Sequence, residues 1–214
     1  WAHQFRLKNK DSFLIQHYVE AGSSDTGHLG IILRIMEEVK ERYDLDDDIP
    51  TIPEQLESDL PEWLAKVQNE KLVLLIDSLD RLSDSSRLIA WMPKHFPPDI
   101  RVILSTTGGE MLHSLKEKGF DHHSIELLKE HECDDLIVNY LGNFRKALSP
   151  AQRSLITRDK KSANPLFLRT VLEELRVFGS FEQLNEHIEH YMGSQDMSDL
   201  FQRMLARVEH DYGK

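Results

Sequence analysis

A run of five apolar residues, Leu-Val-Leu-Leu-Ile at positions 72–76, limits the possible folds of this chain more than any other feature. Lys71 comes before the run and Asp77 follows it. An uninterrupted apolar strand is typical of a parallel sheet that helices cover on both faces. The sequence therefore predicts an α/β fold with a parallel sheet. It also predicts that Asp77 lies at the carboxyl end of a buried strand, which is where open parallel sheets bind ligands.

Strand and helix signals alternate in the first part of the chain, and only helix signals follow. Residues 12–20 and 100–104 are rich in β-branched and other apolar side chains, and residues 124–128 predict a short last strand. From residue 129 onward the apolar residues recur at the spacing of one helix face. We therefore predict an α/β core over residues 1–128, followed by an all-α domain over residues 129–214.

The balance of charge excludes several classes of partner. The chain has 26 Lys and Arg against 37 Asp and Glu, which gives a net charge of −11. An acidic chain lacks the positive surface that nucleic acids and anionic lipids require.

No apolar run approaches the roughly 18 to 20 residues that a membrane span needs. The single cysteine, Cys133, cannot form an internal disulfide, which favours a reducing, cytoplasmic location.

Two aspartates at the end of the apolar run are the main candidates for chemistry. A carboxylate at the position of Asp77 can hold a hydrated Mg²⁺ beside a nucleotide phosphate. Asp80 follows three residues later, where it can polarise a water molecule or tune the metal site. A structural alternative stays open, in which both aspartates are solvated or cap a turn between strand and helix.

Two further groups of residues are candidates for ligand binding. Ser105 and Thr106 end the next predicted strand, and their hydroxyls can bind a terminal phosphate or the attacking water. Pro165 follows Asn164, and a proline ring at the start of a helix can pack on an adenine face. Both groups also have a structural explanation, because hydroxyl residues satisfy turns and an Asn-Pro pair caps a helix.

The order of these motifs, together with the helical segment after them, resembles the NACHT branch of the STAND class of P-loop NTPases. The similarity rests on a Walker B strand followed by Asp-Ser-Leu-Asp, a sensor strand ending in Leu-Ser-Thr-Thr, and the lid motif Asn-Pro-Leu-Phe-Leu. Residues 16–25 are also similar to a strand of nephrocystin and telomerase-associated-protein relatives, and residues 205–213 resemble the helix that leads into the family's winged-helix domain. The resemblance covers essentially the whole chain and implies an NTPase core followed by a helical lid that leads toward a winged-helix domain.

The resemblance implies a nucleotide-driven switch with ATP and Mg²⁺ as its ligands, in which hydrolysis is slow or absent. By position, Asp77 would be the Walker B ligand of Mg²⁺ and Asp80 the catalytic acid. Thr106, together with Ser105, would sense the terminal phosphate, and Pro165 would contact the adenine. Members of this family carry repeat domains that bind other proteins, and their nucleotide state controls partner access or self-association. The parent would therefore be a multidomain, cytoplasmic, repeat-containing protein.

The chain also departs from the family pattern. The phosphate-binding loop G-x-x-x-x-G-K-[ST] does not occur in the 214 residues, and Arg81 stands where many family members carry Glu or Gln. We therefore expect a fragment that begins just after this loop and lacks the first strand of a core whose sheet order is 2-3-4-1-5. The strand at residues 100–106 should then have an open edge or pair with residues 124–128.

Two alternatives to the nucleotide switch stay open. The first is a degenerate scaffold that keeps the fold without binding nucleotide and serves as an interaction domain. The second is a metal-dependent hydrolase that uses Asp77 and Asp80, and it is disfavoured because the Asp-x-Asp spacing of aspartyl-phosphate enzymes is missing. Without the loop amides and lysine, no hydrolysis is expected of these 214 residues themselves.

Overall fold

The computed structural model describes residues 2–9, 12–19, 27–82, 89–179 and 183–212, with the backbone only at residues 210–212. The chain divides into two compact units, Trp1–His122 and His123–Lys214. The division falls a few residues before the predicted boundary at residue 128. In the described residues, strands occur only in the first unit, and the second unit is helical.

The first unit alternates helices and strands. In chain order its elements are α1 (Ala2–Lys8), β1 (Ser12–Tyr18), α2 (His28–Tyr43), α3 (Pro53–Ala65), β2 (Lys71–Asp77), β3 (Ile100–Leu104) and α4 (Glu110–Glu117). A 3-10 turn, Leu79–Arg81, follows β2. The three strands predicted near residues 12, 72 and 100 are therefore present.

The sheet has three parallel strands in the order β1–β2–β3, so β2 lies in the middle. Tyr18 pairs with Asp77 at the end of the β1–β2 ladder, and Ile76 pairs with Leu104 at the end of the β2–β3 ladder. Because the strands are parallel, all three carboxyl ends lie at one edge. The predicted position of Asp77, at the carboxyl edge of a parallel sheet, is confirmed.

One face of the sheet forms the core of the first unit together with α2 and α3. Its buried apolar residues alternate along β2 and meet residues from both helices, namely Leu72, Leu74, Ile76, Ile31, Ile35, Leu60 and Trp63. The intervening strand residues lie on the opposite face. There Val73 is buried, but Leu75 is only half-buried and Ile103 on β3 is 40% exposed. The expected cover on both faces is thus incomplete within the described residues.

Residues 124–128 do not form the short last strand that the sequence predicted, so this expectation is wrong. The segment is irregular, and its Ile125 and Leu127 are 96% and 63% exposed. The backbone N–H of Leu128 donates instead to the carbonyl of Ala163, at 2.8 Å. Alternating polar and apolar residues form a strand only where a partner supplies ladder hydrogen bonds. Among the described residues β3 pairs with β2 alone. Its other edge is therefore unpaired, which is the first of the two outcomes expected from the sequence.

The second unit is built from helices that continue to the last described residue. They are α5 (Glu130–Gly142), α6 (Pro150–Thr157), α7 (Pro165–Val177), α8 (Leu184–Met192) and α9 (Met197–Tyr212).

Asn164 caps α7, because its Oδ1 accepts from the N–H of Leu166 at 2.9 Å and Pro165 takes the first helical position. The predicted helix cap is confirmed. The sequence did not predict α6, although Ser149 and Gln152 form a capping box at its start.

A buried carboxylate joins three helices of the second unit. Glu174 on α7 accepts from the hydroxyl of Tyr191 on α8 at 2.9 Å and from Nε of Arg207 on α9 at 2.6 Å. Burial and the hydrogen bond to Glu174 raise the pKa of Tyr191 to about 12, so this hydroxyl stays a donor at neutral pH. A charge inside a protein is tolerated only when it is paired and hydrogen-bonded. The packing of α7, α8 and α9 therefore depends on this carboxylate.

Replacing Glu174 with alanine should lower the free energy of unfolding by about 2 to 4 kcal/mol, because Tyr191 and Arg207 lose their shared acceptor. Glu173→Ala on the same helix is the matched control. Glu173 forms a partly exposed ion pair with Arg176, and its loss should cost less than about 1 kcal/mol. Urea denaturation measures both changes, and equal losses would show that the buried network contributes no more than a surface pair.

Candidate functional site

Asp77 and Ser105 meet where β2 and β3 end. The hydroxyl of Ser105 donates to Oδ1 of Asp77, and its oxygen accepts from the backbone N–H of Ser78 at 2.8 Å. Two backbone hydrogen bonds extend the strand pairing to this point. The N–H of Ser105 donates to the carbonyl of Ile76 at 3.0 Å, and the N–H of Leu79 donates to the carbonyl of Ser105 at 2.9 Å. Asp77 is half-buried. Its carboxylate is therefore fixed by the neighbouring strand at the edge of the sheet.

Ser78 turns the chain immediately after Asp77. Its backbone is left-handed, with φ 64° and ψ 47°. This conformation costs a non-glycine residue about 1 to 2 kcal/mol, and the hydrogen bond from its N–H to Ser105 offsets part of that cost. The 3-10 turn that follows brings Asp80 beside the segment after β3.

Among the described residues, Thr107 donates two hydrogen bonds to the carboxylate of Asp80. The backbone N–H of Thr107 donates to Oδ1 of Asp80 at 3.2 Å, and the Thr107 hydroxyl donates to Oδ2 at 3.0 Å. Burial alone would raise the pKa of the Asp80 carboxyl, but these two donors and the nearby Arg81 outweigh it and hold the pKa below its ordinary value. Asp80 is therefore ionised at neutral pH, with both oxygens engaged.

The hydroxyl residues after β3 do not all contact the aspartates. Ser105 bonds Asp77, but the Thr106 hydroxyl donates to the carbonyl of Thr107 at 3.1 Å and bonds neither aspartate in the described part of the chain. Thr107, which the sequence did not single out as a site residue, bonds Asp80 instead. Side chains alternate along an extended segment, so positions 105 and 107 share a side. That period of two is the signal that could have identified Thr107.

Pro165, the last of the predicted site residues, belongs to the second unit. It is exposed at the first position of α7, next to Leu166, which is 58% exposed. An exposed apolar pair at a helix start is a surface on which a flat aromatic ring can pack. The expected contact of Pro165 with an adenine stays a prediction.

The oxygen atoms at the sheet edge suit a magnesium ion. Ser105 engages Oδ1 of Asp77, while Oδ2 has no hydrogen-bond partner among the described residues. Mg²⁺ prefers hard oxygen ligands, keeps several waters, and is held through one or two carboxylates together with substrate phosphates. The part of the chain that the structure describes contains no group of three or more His, Cys, Asp or Glu side chains able to hold a metal. Asp77 therefore offers one carboxylate oxygen of the kind that Mg²⁺ binds.

Comparisons with known proteins found distant relatives. No protein-family model matches the chain. A TPR repeat-containing protein from Dictyostelium discoideum is 29% identical over 99% of this chain and 15% of its own length. NACHT domain- and WD repeat-containing protein 1 from Mus musculus is 33% identical over 52% of this chain and 8% of its own length. Telomerase protein component 1 from Mus musculus is 23% identical over 96% of this chain and 8% of its own length.

These relatives support, at distant identity, the resemblance to NACHT-domain and repeat-containing proteins. The chain spans 15% or less of the length of each of the three. None of the described helices combines the length and the apolar character that crossing a membrane requires.

Replacing Thr107 with valine should raise the pKa of the Asp80 carboxyl toward its ordinary value, because the hydroxyl donor is lost. NMR titration of isotope-labelled carboxyl groups measures this pKa. Thr51→Val is the control, since Thr51 is exposed in the same unit and has no hydrogen bond in the described residues. If the pKa of Asp80 is the same in Thr107→Val, the hydroxyl has no part in holding the carboxylate.

The same substitution should change the response of stability to acid. A lowered pKa means that Asp80 stabilises the fold above its unfolded-state pKa and that this contribution is lost as the pH falls through the folded-state pKa. Thr107→Val should therefore lose less stability than the wild type when the pH is lowered through that window. Denaturation midpoints on both sides of it measure the difference.

Proposed function

We propose that the chain is part of the nucleotide-binding module of a large multidomain NACHT-type protein of the STAND class of P-loop NTPases. ATP and Mg²⁺ bind as a switch, hydrolysis is slow or absent, and the nucleotide state controls assembly or the access of partner proteins. Residues 1–128 serve as the NTPase core and residues 129–214 as the helical lid. The names of the relatives support this proposal, and the sheet order β1–β2–β3 agrees with strands 2-3-4 of that fold.

One observation carries the proposal, namely the pair formed by Asp77 and Ser105 at the carboxyl edge of the central strand. Open parallel sheets bind ligands at this edge. Ser105 fixes Asp77 through Oδ1, and Oδ2 has no other partner in the described residues. A fixed carboxylate with one free oxygen is suited to a hydrated Mg²⁺ that also touches the phosphates of a nucleotide.

The other candidate residues take the roles that this arrangement allows. Ser105, with Thr106 next to it, supplies hydroxyls near the terminal phosphate. Asp80 is the acid that polarises the attacking water, and Pro165 on the lid contacts the adenine. Bound Mg²⁺ supplies positive charge that stabilises the phosphate oxygens.

The main phosphate-binding groups are not among these 214 residues, because the chain contains no G-x-x-x-x-G-K-[ST] sequence. In this proposal they lie elsewhere in a longer protein, since the relatives are several times the length of this chain. Nucleotide binding is therefore proposed for the longer protein, in the cytoplasm. Its other partners are proteins that bind through repeat domains.

A second candidate function is a scaffold that keeps the fold and binds no nucleotide. It is favoured by the hydrogen bonds of the two aspartates, since Ser105 and Thr107 satisfy three of their four carboxylate oxygens without any ligand. In that case the carboxylates only fasten the segments after β2 and β3 to each other. The two functions differ in whether the full-length protein binds nucleotide and in whether Mg²⁺ strengthens that binding.

Asp77→Asn in the full-length protein should weaken ATP binding in the presence of Mg²⁺ by roughly ten- to a hundredfold, because the charge that holds the cation is lost. ATP affinity without Mg²⁺ should stay within about twofold of the wild type. Isothermal titration calorimetry measures both affinities. Asp99→Asn is the matched control, because Asp99 is an exposed aspartate just before β3, at the opposite edge of the same sheet.

Two outcomes would contradict the proposal, and thermal unfolding supplies the control. An unchanged Mg²⁺ dependence in Asp77→Asn would make the metal assignment wrong. A wild-type protein that binds no nucleotide would support the scaffold. Thermal unfolding of each variant separates a lost ligand from a lost fold.

A further inference from the structure

We infer that Thr107 restrains ATP hydrolysis by holding the carboxylate of Asp80 away from the attacking water, an inference that rests on the proposed function. Thr107 is then a positioning residue, because it acts through Asp80 and not on the nucleotide. The contact would account for slow hydrolysis at a site that still binds ATP and Mg²⁺.

The two aspartates at the sheet edge are held in different ways. Asp77 receives one side-chain hydrogen bond, at Oδ1, and its Oδ2 is free of other partners in the residues described. Asp80 receives two hydrogen bonds from the same residue, one at each oxygen. Two donors from one residue fix both the position and the plane of a carboxylate. Asp77 is thus open to a ligand, whereas Asp80 is occupied.

The occupied state opposes the step that Asp80 would serve. In hydrolysis the water oxygen forms a bond to the γ-phosphorus, and the bond from that phosphorus to the bridging oxygen breaks and leaves its electron pair on ADP. One proton of the water passes to Asp80 and from there to the released phosphate. A general base works best when its pKa lies near the working pH, but the donors of Thr107 help to hold the pKa of Asp80 below its ordinary value.

The contact between Thr107 and Asp80 can open without disturbing the sheet. The hydrogen bonds between backbone groups of the two strand ends stop at Ser105 in the described residues, and Thr107 lies beyond them and is exposed. Gly108 and Gly109 follow, and Gly109 has φ 107°, a region that glycine enters readily. A Cβ added at either glycine would meet no atom within 4 Å. The segment therefore has free space and a conformationally permissive glycine next to the residue that holds Asp80.

The test removes the Thr107 hydroxyl in the full-length protein and measures ATP turnover. Thr107→Val should raise kcat on the order of tenfold, a small part of what a general base contributes. KM should stay within about twofold, because no nucleotide contact changes. Thr107→Ser keeps the hydroxyl and should behave as the wild type. Thr51→Val, an exposed threonine of the same unit, controls for the replacement itself.

A double variant tests whether the effect passes through the carboxylate. Adding Asp80→Asn to Thr107→Val should abolish the gain in kcat, because the released group can no longer accept a proton. A gain that survives Asp80→Asn would overturn the inference. An unchanged or lower kcat in Thr107→Val would overturn it as well, and a lower value restored by Thr107→Ser would show that Thr107 orients Asp80 for catalysis.

ATP affinity, measured on the same samples, separates this result from a failure of the proposed function. A wild-type protein that binds no Mg²⁺–ATP contradicts both the switch and the role of Thr107. Normal binding with unchanged turnover in Thr107→Val contradicts the role of Thr107 alone. Thermal unfolding of Thr107→Val beside Thr51→Val shows that both variants are folded when turnover is measured.

Discussion

The parallel pairing of β2 with β3 is the constraint on which the candidate site depends. The pairing continues past both strands through backbone hydrogen bonds of Ser105, so that hydroxyl side chains lie within reach of two carboxylates. A shift of one residue in register would send every side chain to the other face of the sheet. Thr106 would then take the side that Ser105 and Thr107 now occupy. The backbone pairing of β2 with β3 therefore determines which hydroxyl groups contact Asp77 and Asp80.

Part of this edge follows directly from local sequence patterns. The apolar run at residues 72–76 predicts a buried strand, and the residue after such a strand has to lie at an edge of the sheet. Asn164 and Pro165 were equally predictable, because a cap and a first helical residue act on the neighbouring backbone. In both places the information lies within a few residues of the feature that it specifies.

Other features depend on contacts that no local pattern contains. Residues 124–128 alternate as a strand does, but a strand also needs a pairing partner, and these residues pair with no strand among the described residues. The contact of Thr107 with Asp80 depends on the left-handed turn at Ser78. A serine rarely adopts this backbone conformation, so the sequence does not predict the turn. Glu174 looks like one more charged residue of an amphipathic helix, and only the packing of its neighbours shows that it is buried. Distant sequence identity to much longer relatives does not supply these contacts either.

The ion pair of Glu174 with Arg207 also links the last helix to the start of α7. α7 is a continuous rod of 13 residues, about 20 Å long, with Pro165 at its tip and Glu174 past its midpoint. Arg207 on α9 forms an ion pair with Glu174 on that helix. The last helix and the exposed proline ring are therefore connected through one ion pair and one continuous helix.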